Sequence, residues 1–306
     1  MKVIDGEARD RKTGLVNRSE QGNRSSTVLG RRLGGQLLLL RDAAGKTQQE
    51  AAQVLSATAT KIVKMERGWV PVREPDIRAL CTFYGQGDPE AVDALLNLAK
   101  LDRERRKAKG WWSAYPALRD MVEYVALEDV ASSVRTWQQA TVPGLLQTTD
   151  YARALAVGNG AWSDLTEIEP FVDARMARQA RLDGDSPLHL WATVHEAALR
   201  QLVGGRQVMR AQLYHLLERC EQPNVRCQVL PYSAGAHPGV TNAFTIVSFD
   251  GPGAVDVVHM DTTSATVWLE SESDAIHHRA IFDRITRLGL ARRSSADLIA
   301  NIRKEM

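Results

Sequence analysis

The stretch Thr47-Gln48-Gln49-Glu50-Ala51-Ala52-Gln53-Val54-Leu55-Ser56-Ala57-Thr58-Ala59-Thr60-Lys61-Ile62-Val63-Lys64-Met65-Glu66-Arg67-Gly68 decides how the front of the chain folds. Thr47 with Glu50 three residues on has the form of a capping box, which opens a short helix over residues 48–55. Thr58 is an N-cap residue for a second helix over 58–66, which Arg67-Gly68 stops. Ala51, Ala52 and Leu55 then face Ile62 and Met65, and the small alanines let the two helices approach closely. The outer face of the second helix carries Thr58, Ala59, Thr60, Lys61 and Lys64. The major groove of DNA admits one α-helix, and a second helix must brace it across the backbone. Thr47 and Gln48 sit at a helix N-terminus, where backbone N–H groups favour a phosphate. The candidate contacts to double-stranded DNA are therefore Thr47, Gln48, Thr58, Ala59, Thr60, Lys61 and Lys64.

Upstream, Val28, Leu29, Leu33, Leu37, Leu40 and Ala44 recur at three- and four-residue steps, one face of a helix that Gly45 ends. Downstream, Pro75 opens a helix to Tyr84, Gly85-Gln86-Gly87-Asp88-Pro89 is a turn, and a further helix ends in the charged run 100–109. Residues 1–26 are polar, with little apolar periodicity, and read as a disordered arm. The expected division is an arm at 1–26, an all-α helix-turn-helix domain at 27–84, a helical linker at 85–110 and a second domain at 111–306.

Length and charge agree with that division. At about 100–200 residues per domain, 306 residues make two domains. Residues 1–73 hold 14 Lys and Arg against 7 Asp and Glu, a net of +7, whereas residues 111–306 hold 18 against 23, a net of −5. A basic front half fits a polyanion, and the back half has a different task. The longest aliphatic run, Leu37-Leu38-Leu39-Leu40, is far short of the roughly 20 residues that span a bilayer. The polar N-terminus has no apolar signal-peptide core, and three cysteines make no disulfide framework. The expectation is a cytoplasmic protein with reduced thiols and no membrane association.

After Trp111-Trp112 strand-like runs appear at 188–192, 225–230, 244–249, 255–259 and 266–269, with helical patterns at 150–157, 167–181, 208–220 and 275–290. This is an α+β domain, a small sheet with helices packed on it. No motif for catalysis stands out: there is no GxSxG, GxGxxG or phosphate loop, and His195-Glu196 lacks the second histidine of HExxH. Adjacent His277 and His278 point about 100° apart on a helix and suit one metal poorly. No enzyme activity, metal or cofactor is expected. A small-molecule effector or a protein partner is expected instead. Arg175 and Arg178, three apart on one helix face and followed by Gln179, are candidates to clamp an anion or an acidic side chain. Glu196 and His237, the latter in the loop 233–239 after a strand, are further candidates. Trp111, Trp112, Trp137, Trp162, Trp191 and Trp268 are expected in the core, and Cys220 and Cys227 are expected to be buried and inert.

Thr47-Gln48, Ala51-Ala52 and Lys61-Ile62-Val63-Lys64-Met65-Glu66-Arg67-Gly68 resemble the XRE, or lambda-repressor-like, helix-turn-helix over about residues 29–84. The resemblance implies DNA contact by Gln48 and base reading by Ala59, Thr60 and Lys61, with Lys64 one turn later. It also implies that Glu66 pairs with a first-helix arginine, Arg41 or Arg32. One reading helix makes few contacts, so a homodimer on two half-sites about one helical turn apart is expected. Trp111-Trp112, Val142-Pro143-Gly144-Leu145-Leu146-Gln147-Thr148, Tyr151-Ala152, Arg175-Met176-Ala177-Arg178-Gln179, Glu196-Ala197-Ala198-Leu199, Met209-Arg210-Ala211-Gln212-Leu213 and the run from Val229 to His237 resemble an actinomycete C-terminal domain of unknown function, number 5753, over about 111–303. That resemblance implies an antitoxin-like regulator, often with a small protein partner encoded by an adjacent gene. The family commonly has Asp-Glu where this chain has His195-Glu196, and Tyr-x-Glu where it has His259-Met260-Asp261.

Overall fold

The computed structural model describes residues 26–107, 110–118, 121–160, 165–250, 256–262 and 265–306. The N-terminal arm expected at 1–26 lies, but for Ser26, outside the described residues.

Among the described residues five helices build the front of the chain: α1 (Val28–Ala43), α2 (Gln48–Val54), α3 (Ala59–Glu66), α4 (Glu74–Phe83) and α5 (Pro89–Lys107). Their ends are set by local chemistry. The Thr27 hydroxyl accepts from Gly30 N, the Thr47–Glu50 capping box is complete in both directions, and the Thr58 hydroxyl accepts from Lys61 N. Val28, Leu29, Leu33 and Leu37 are fully buried against Ala51, Ala52, Ile62 and Met65. Contact between α1 and the end of α3 is close. A Cβ at Gly34 would fall 2.3 Å from Glu66 O, and Gly68 takes φ +68° with its would-be Cβ 2.3 Å from Arg31 N. The segment expected as a helical linker contains α5, which buries Leu95, Leu98 and Ala99 in the core that α1 and α4 share.

The back of the chain is a six-stranded mixed sheet with helices on both faces, in strand order β3-β2-β1-β4-β5-β6. After α6 (Val122–Val130) comes β1 (Ser133–Gln138), then α7 (Thr149–Asn159), α8 (Leu165–Arg178) and β2 (His189–His195). The short α9 (Glu196–Arg200) and α10 (Arg206–Arg219) lead to β3 (Val225–Leu230), so β1, β2 and β3 are parallel with helical crossovers. The chain then crosses to the other side of β1 and runs as an antiparallel meander: β4 (Phe244–Ser248), β5 (Asp256–Asp261) and β6 (Thr266–Leu269). The strand expected at 255–259 is β5; Val255 lies outside the described residues.

Two C-terminal helices close the domain, α11 (Glu272–Leu288) and α12 (Arg292–Glu305). Phe282 and Ile285 of α11 bury Trp137, Ile246 and Val258 on one sheet face. Ile299 and Ile302 of α12 pack in the larger core with Met209, Leu213 and Val229. Helix α6, the central strand β1 and helix α12 are absent from the sequence-based expectation. Of the six tryptophans expected in the core, Trp112 and Trp137 are buried, whereas Trp111, Trp191 and Trp268 are half-buried; Trp162 lies outside the described residues.

Candidate nucleic-acid interface and ligand cavity

Helices α2 and α3 meet through a tight turn in which Ser56 takes a positive φ of 48° and Ala57 N bonds Ala52 O at 2.8 Å. Thr47, Thr58, Ala59, Thr60 and Lys64 are exposed, while Gln48 and Lys61 are half-buried. These positions lie at the N-terminal ends of α2 and α3 and along the outer face of α3. Gln48 Nε2 donates to Glu66 Oε2 at 2.7 Å. Of the two arginines named for Glu66, Arg41 is the partner, with Nε 2.6 Å from Oε1. Arg32 instead points at the second domain, where it bonds the carbonyls of Asp256 and Glu270. Lys61 Nζ lies 3.2 Å from Asp76 Oδ2, and Arg73 Nη2 lies 2.9 Å from Asp76 Oδ1. Burial raises the Asp76 carboxyl, but the hydrogen bonds from Arg73 and Lys61 outweigh it and hold the group below its usual value. Arg73 therefore joins the cations on this side. Its signal in the sequence is its place just before the Glu74-Pro75 start of α4.

The second candidate site is a cavity of about 210 Å³ between the sheet and the elements over it. Its floor is one row of the sheet: Thr136 of β1 pairs with Thr245 of β4, which pairs with His259 of β5. The two threonine hydroxyls are 2.9 Å apart. His259 packs at a tilt against both Tyr124 and Trp268, with ring centroids 4.6 and 4.7 Å away. Burial drives the His259 imidazole below its usual pKa, against the pull of Asp261. The roof comes from α6, from α8 and from the loop before α7.

That loop is the Val142-to-Thr148 segment, and buried glutamines hold it. Gln147 Nε2 donates to Val142 O at 2.7 Å, Gln179 Nε2 to Gln147 O at 2.6 Å, and Gln212 Nε2 to Leu146 O at 2.7 Å. The Tyr151 hydroxyl accepts from Val142 N at 3.1 Å. Sequence motifs spread over 70 residues thus converge on one loop.

The two arginines of α8 do different things. Arg178 is buried and makes a bidentate pair with Glu128 of α6, Nε to Oε1 at 2.9 Å and Nη2 to Oε2 at 2.8 Å. Glu128 neutralises it, so the expected two-arginine clamp does not form. Arg175 has a neutral partner, Gln147 Oε1 at 2.8 Å from Nη1, and lies over the Phe171 ring. Gln179 spends its amide on the loop and is buried.

Glu196 and His237 lie away from this cavity. The Glu196 carboxylate accepts from Arg200 Nε at 2.7 Å and from Tyr232 N at 3.0 Å, which leaves it a structural role in the pairing of α9 with the strand-end loop. His237 packs edge-on to Trp137 beside His195, and burial lowers both histidines. Cys227 is buried; the neighbouring Cys220 thiol and burial push its thiol up, which suppresses the reactive thiolate. Among the described residues no group of three or more His, Cys, Asp or Glu side chains is placed to hold a metal, and no helix is long and apolar enough to cross a membrane.

Residues 32–95 match a family described as a helix-turn-helix domain. Together with the brace and reading helices, this supports a DNA-binding regulator. Residues 121–301 match the family described as Domain of unknown function (DUF5753), and the chain belongs to that family. No curated relative and no solved structure matches the chain.

Proposed function

We propose that the protein is a sequence-specific transcriptional regulator that binds DNA as a homodimer and whose second domain senses a ligand or a protein partner. The observation that carries the DNA reading is the exposed outer face of α3, with Thr58, Ala59, Thr60 and Lys64 free of the core and Lys61 and Arg73 beside them. Thr hydroxyls bond base edges or phosphates, Ala touches a thymine methyl, and lysines meet guanine or phosphate. A single reading helix gives few contacts, and pairing two of them on a two-fold site multiplies the affinity.

Support for sensing comes from the joint between the domains. Val28 N, at the start of α1, donates to Glu123 Oε1 at 2.8 Å. Arg31 Nε and Nη2 lie 3.0 and 2.5 Å from Glu270 Oε1. Elements at this joint also shape the cavity: α6 holds Glu123 with Tyr124 and Glu128, and β5, whose Asp256 carbonyl takes Arg32, holds His259 and Asp261. A ligand that prefers one arrangement of this joint must shift DNA affinity by the same coupling free energy.

The test is selection of genomic fragments by the purified full chain, starting upstream of its own gene. A short near-palindrome is the expected result. Recovery of no sequence above random fragments, with or without candidate ligands, overturns the reading.

A further inference from the structure

We infer that the cavity over the Thr136–Thr245–His259 row binds a small organic monocarboxylate with an apolar body, and that Arg175 carries its carboxylate. This rests on the reading of the second domain as a sensor and names the chemistry it senses.

Arg175 is the anomaly. It is a half-buried arginine with no carboxylate in ion-pair range among the described residues, and its Nε is buried without a hydrogen-bond partner. Burial, and then the charge of Arg178, push it down to about 10. An unpaired, desolvated cation is costly, and proteins keep one where a ligand completes the pair. A surface arginine would turn to water, but Arg175 is held by Gln147 and the Phe171 ring, so its cost persists in the free protein.

The rest of the cavity selects among anions. Arg178 is already neutralised by Glu128, so Arg175 is the one cation left to face an anion, and the Asp261 carboxylate at the rim repels any charge beyond the first. A monoanion fits that balance better than a phosphate dianion. Val134, Val142, Leu145 and Leu190 supply apolar wall, and Gln138 with the two threonines supplies hydroxyl and amide partners. The volume of about 210 Å³ lies below the roughly 300–1,000 Å³ of drug-sized pockets, which limits the ligand to about the size of benzoate. A carboxylate matches the planar edge of a guanidinium in two parallel hydrogen bonds.

The experiment is calorimetry on the full chain without DNA, using benzoate, phenylacetate and octanoate as probes, with benzamide and inorganic phosphate beside them. At least one carboxylate is expected to bind saturably, about tenfold or more tighter than benzamide, and phosphate to bind weakly or not at all. In Arg175→Gln, which keeps a polar amide but loses the charge and the planar edge, the carboxylate preference is expected to vanish. The unliganded variant is also expected to melt a few degrees higher, because the unpaired charge is gone; a merely structural Arg175 would lower the melting point. Arg175→Lys, which keeps the charge but not the planar edge, is expected to bind with intermediate affinity. Three results overturn the inference: no probe binds at 10 millimolar or so, phosphate binds best, or Arg175→Gln binds carboxylates as well as the native chain does. DNA affinity measured with and without the probe is a separate readout. A carboxylate that binds and leaves DNA affinity unchanged refutes the sensor reading and leaves the site standing.

Discussion

Gln48 Nε2 stands 2.7 Å from Glu66 Oε2, so the first residue of the brace helix is tied to the last residue of the reading helix. The other oxygen of Glu66 takes Arg41 Nε at 2.6 Å, and Arg41 Nη1 reaches on to Lys46 O at 2.8 Å. Three helices and the turn between two of them are locked through one carboxylate. The angle of α3, on which groove reading depends, is therefore set by a side chain that faces away from the groove.

That pair has a testable cost. The Arg41 and Glu66 side chains are 11% and 4% exposed, so removing one partner strands the other charge. Glu66→Leu is expected to destabilise the protein by about 3–5 kcal/mol, whereas the double change Arg41→Met with Glu66→Leu recovers much of that loss. Urea midpoints at constant slope give the values. A loss below about 1 kcal/mol in the single variant would show the pair to be worth no more than a surface bridge.

Neighbouring glycines in α1 should respond in opposite directions. Gly34→Ala forces a Cβ to within 2.3 Å of the Glu66 carbonyl and 2.4 Å of the Met65 carbonyl, while a Cβ at Gly35 meets nothing within 4 Å. Gly35→Ala is expected to stabilise by about 1 kcal/mol through helix propensity. Gly34→Ala is expected to cost about 1–3 kcal/mol, as overpacking does. Thermal melts of the two single variants check both signs, and equal shifts would contradict the close approach of α1 to α3.

Charge on the reading face can be removed without touching the core. Lys61→Ala frees Asp76, which keeps Arg73 as its partner, and Lys64→Ala changes an exposed side chain. Each is expected to weaken specific binding by about 1–3 kcal/mol if it meets a base, or to lower the salt slope by about one if it meets phosphate. Fluorescence anisotropy over a salt series distinguishes the two outcomes. Native affinity and native slope in both variants would remove the lysines from the interface.

Acid should weaken the fold before its carboxylates titrate. Burial holds His195, His215, His237 and His259 below the usual value of 6.5. The unfolded chain takes up these protons first, so stability is level above about pH 7 and falls as pH drops below 6.5 toward the folded values. Urea midpoints from pH 8 to pH 5.5 measure this, and His259→Phe is expected to flatten the slope. A midpoint that rises on acidification through that window would reverse the assignment.

The helix-turn-helix was legible in the sequence because its information is local. Caps at Thr47 and Thr58, a stop at Arg67-Gly68 and helical spacing at Leu29, Leu33 and Leu37 act within one or two turns, and periodicity reads such signals. Strand β1 was not legible. It is the sheet's central strand, between β2 and β4, and its cavity face carries Thr136 and Gln138 where alternation would lead one to expect apolar residues. Helix α12 was missed because its few apolar positions, Ile299 and Ile302 among them, are outnumbered by polar ones.

By itself, then, the sequence determined the division into a helical front and an α+β back, the start and stop of the brace and reading helices, and the positions on their outer face. Tertiary structure alone decided which partner each charge has. Spacing puts Arg175 and Arg178 on one helix face, but Glu128 comes from a helix 50 residues earlier and neutralises only Arg178. Arg32 and Arg41 are alike in the sequence, yet one bonds the second domain and the other Glu66. Helix periodicity encodes direction; the identity of what lies in that direction depends on the long-range packing of the chain.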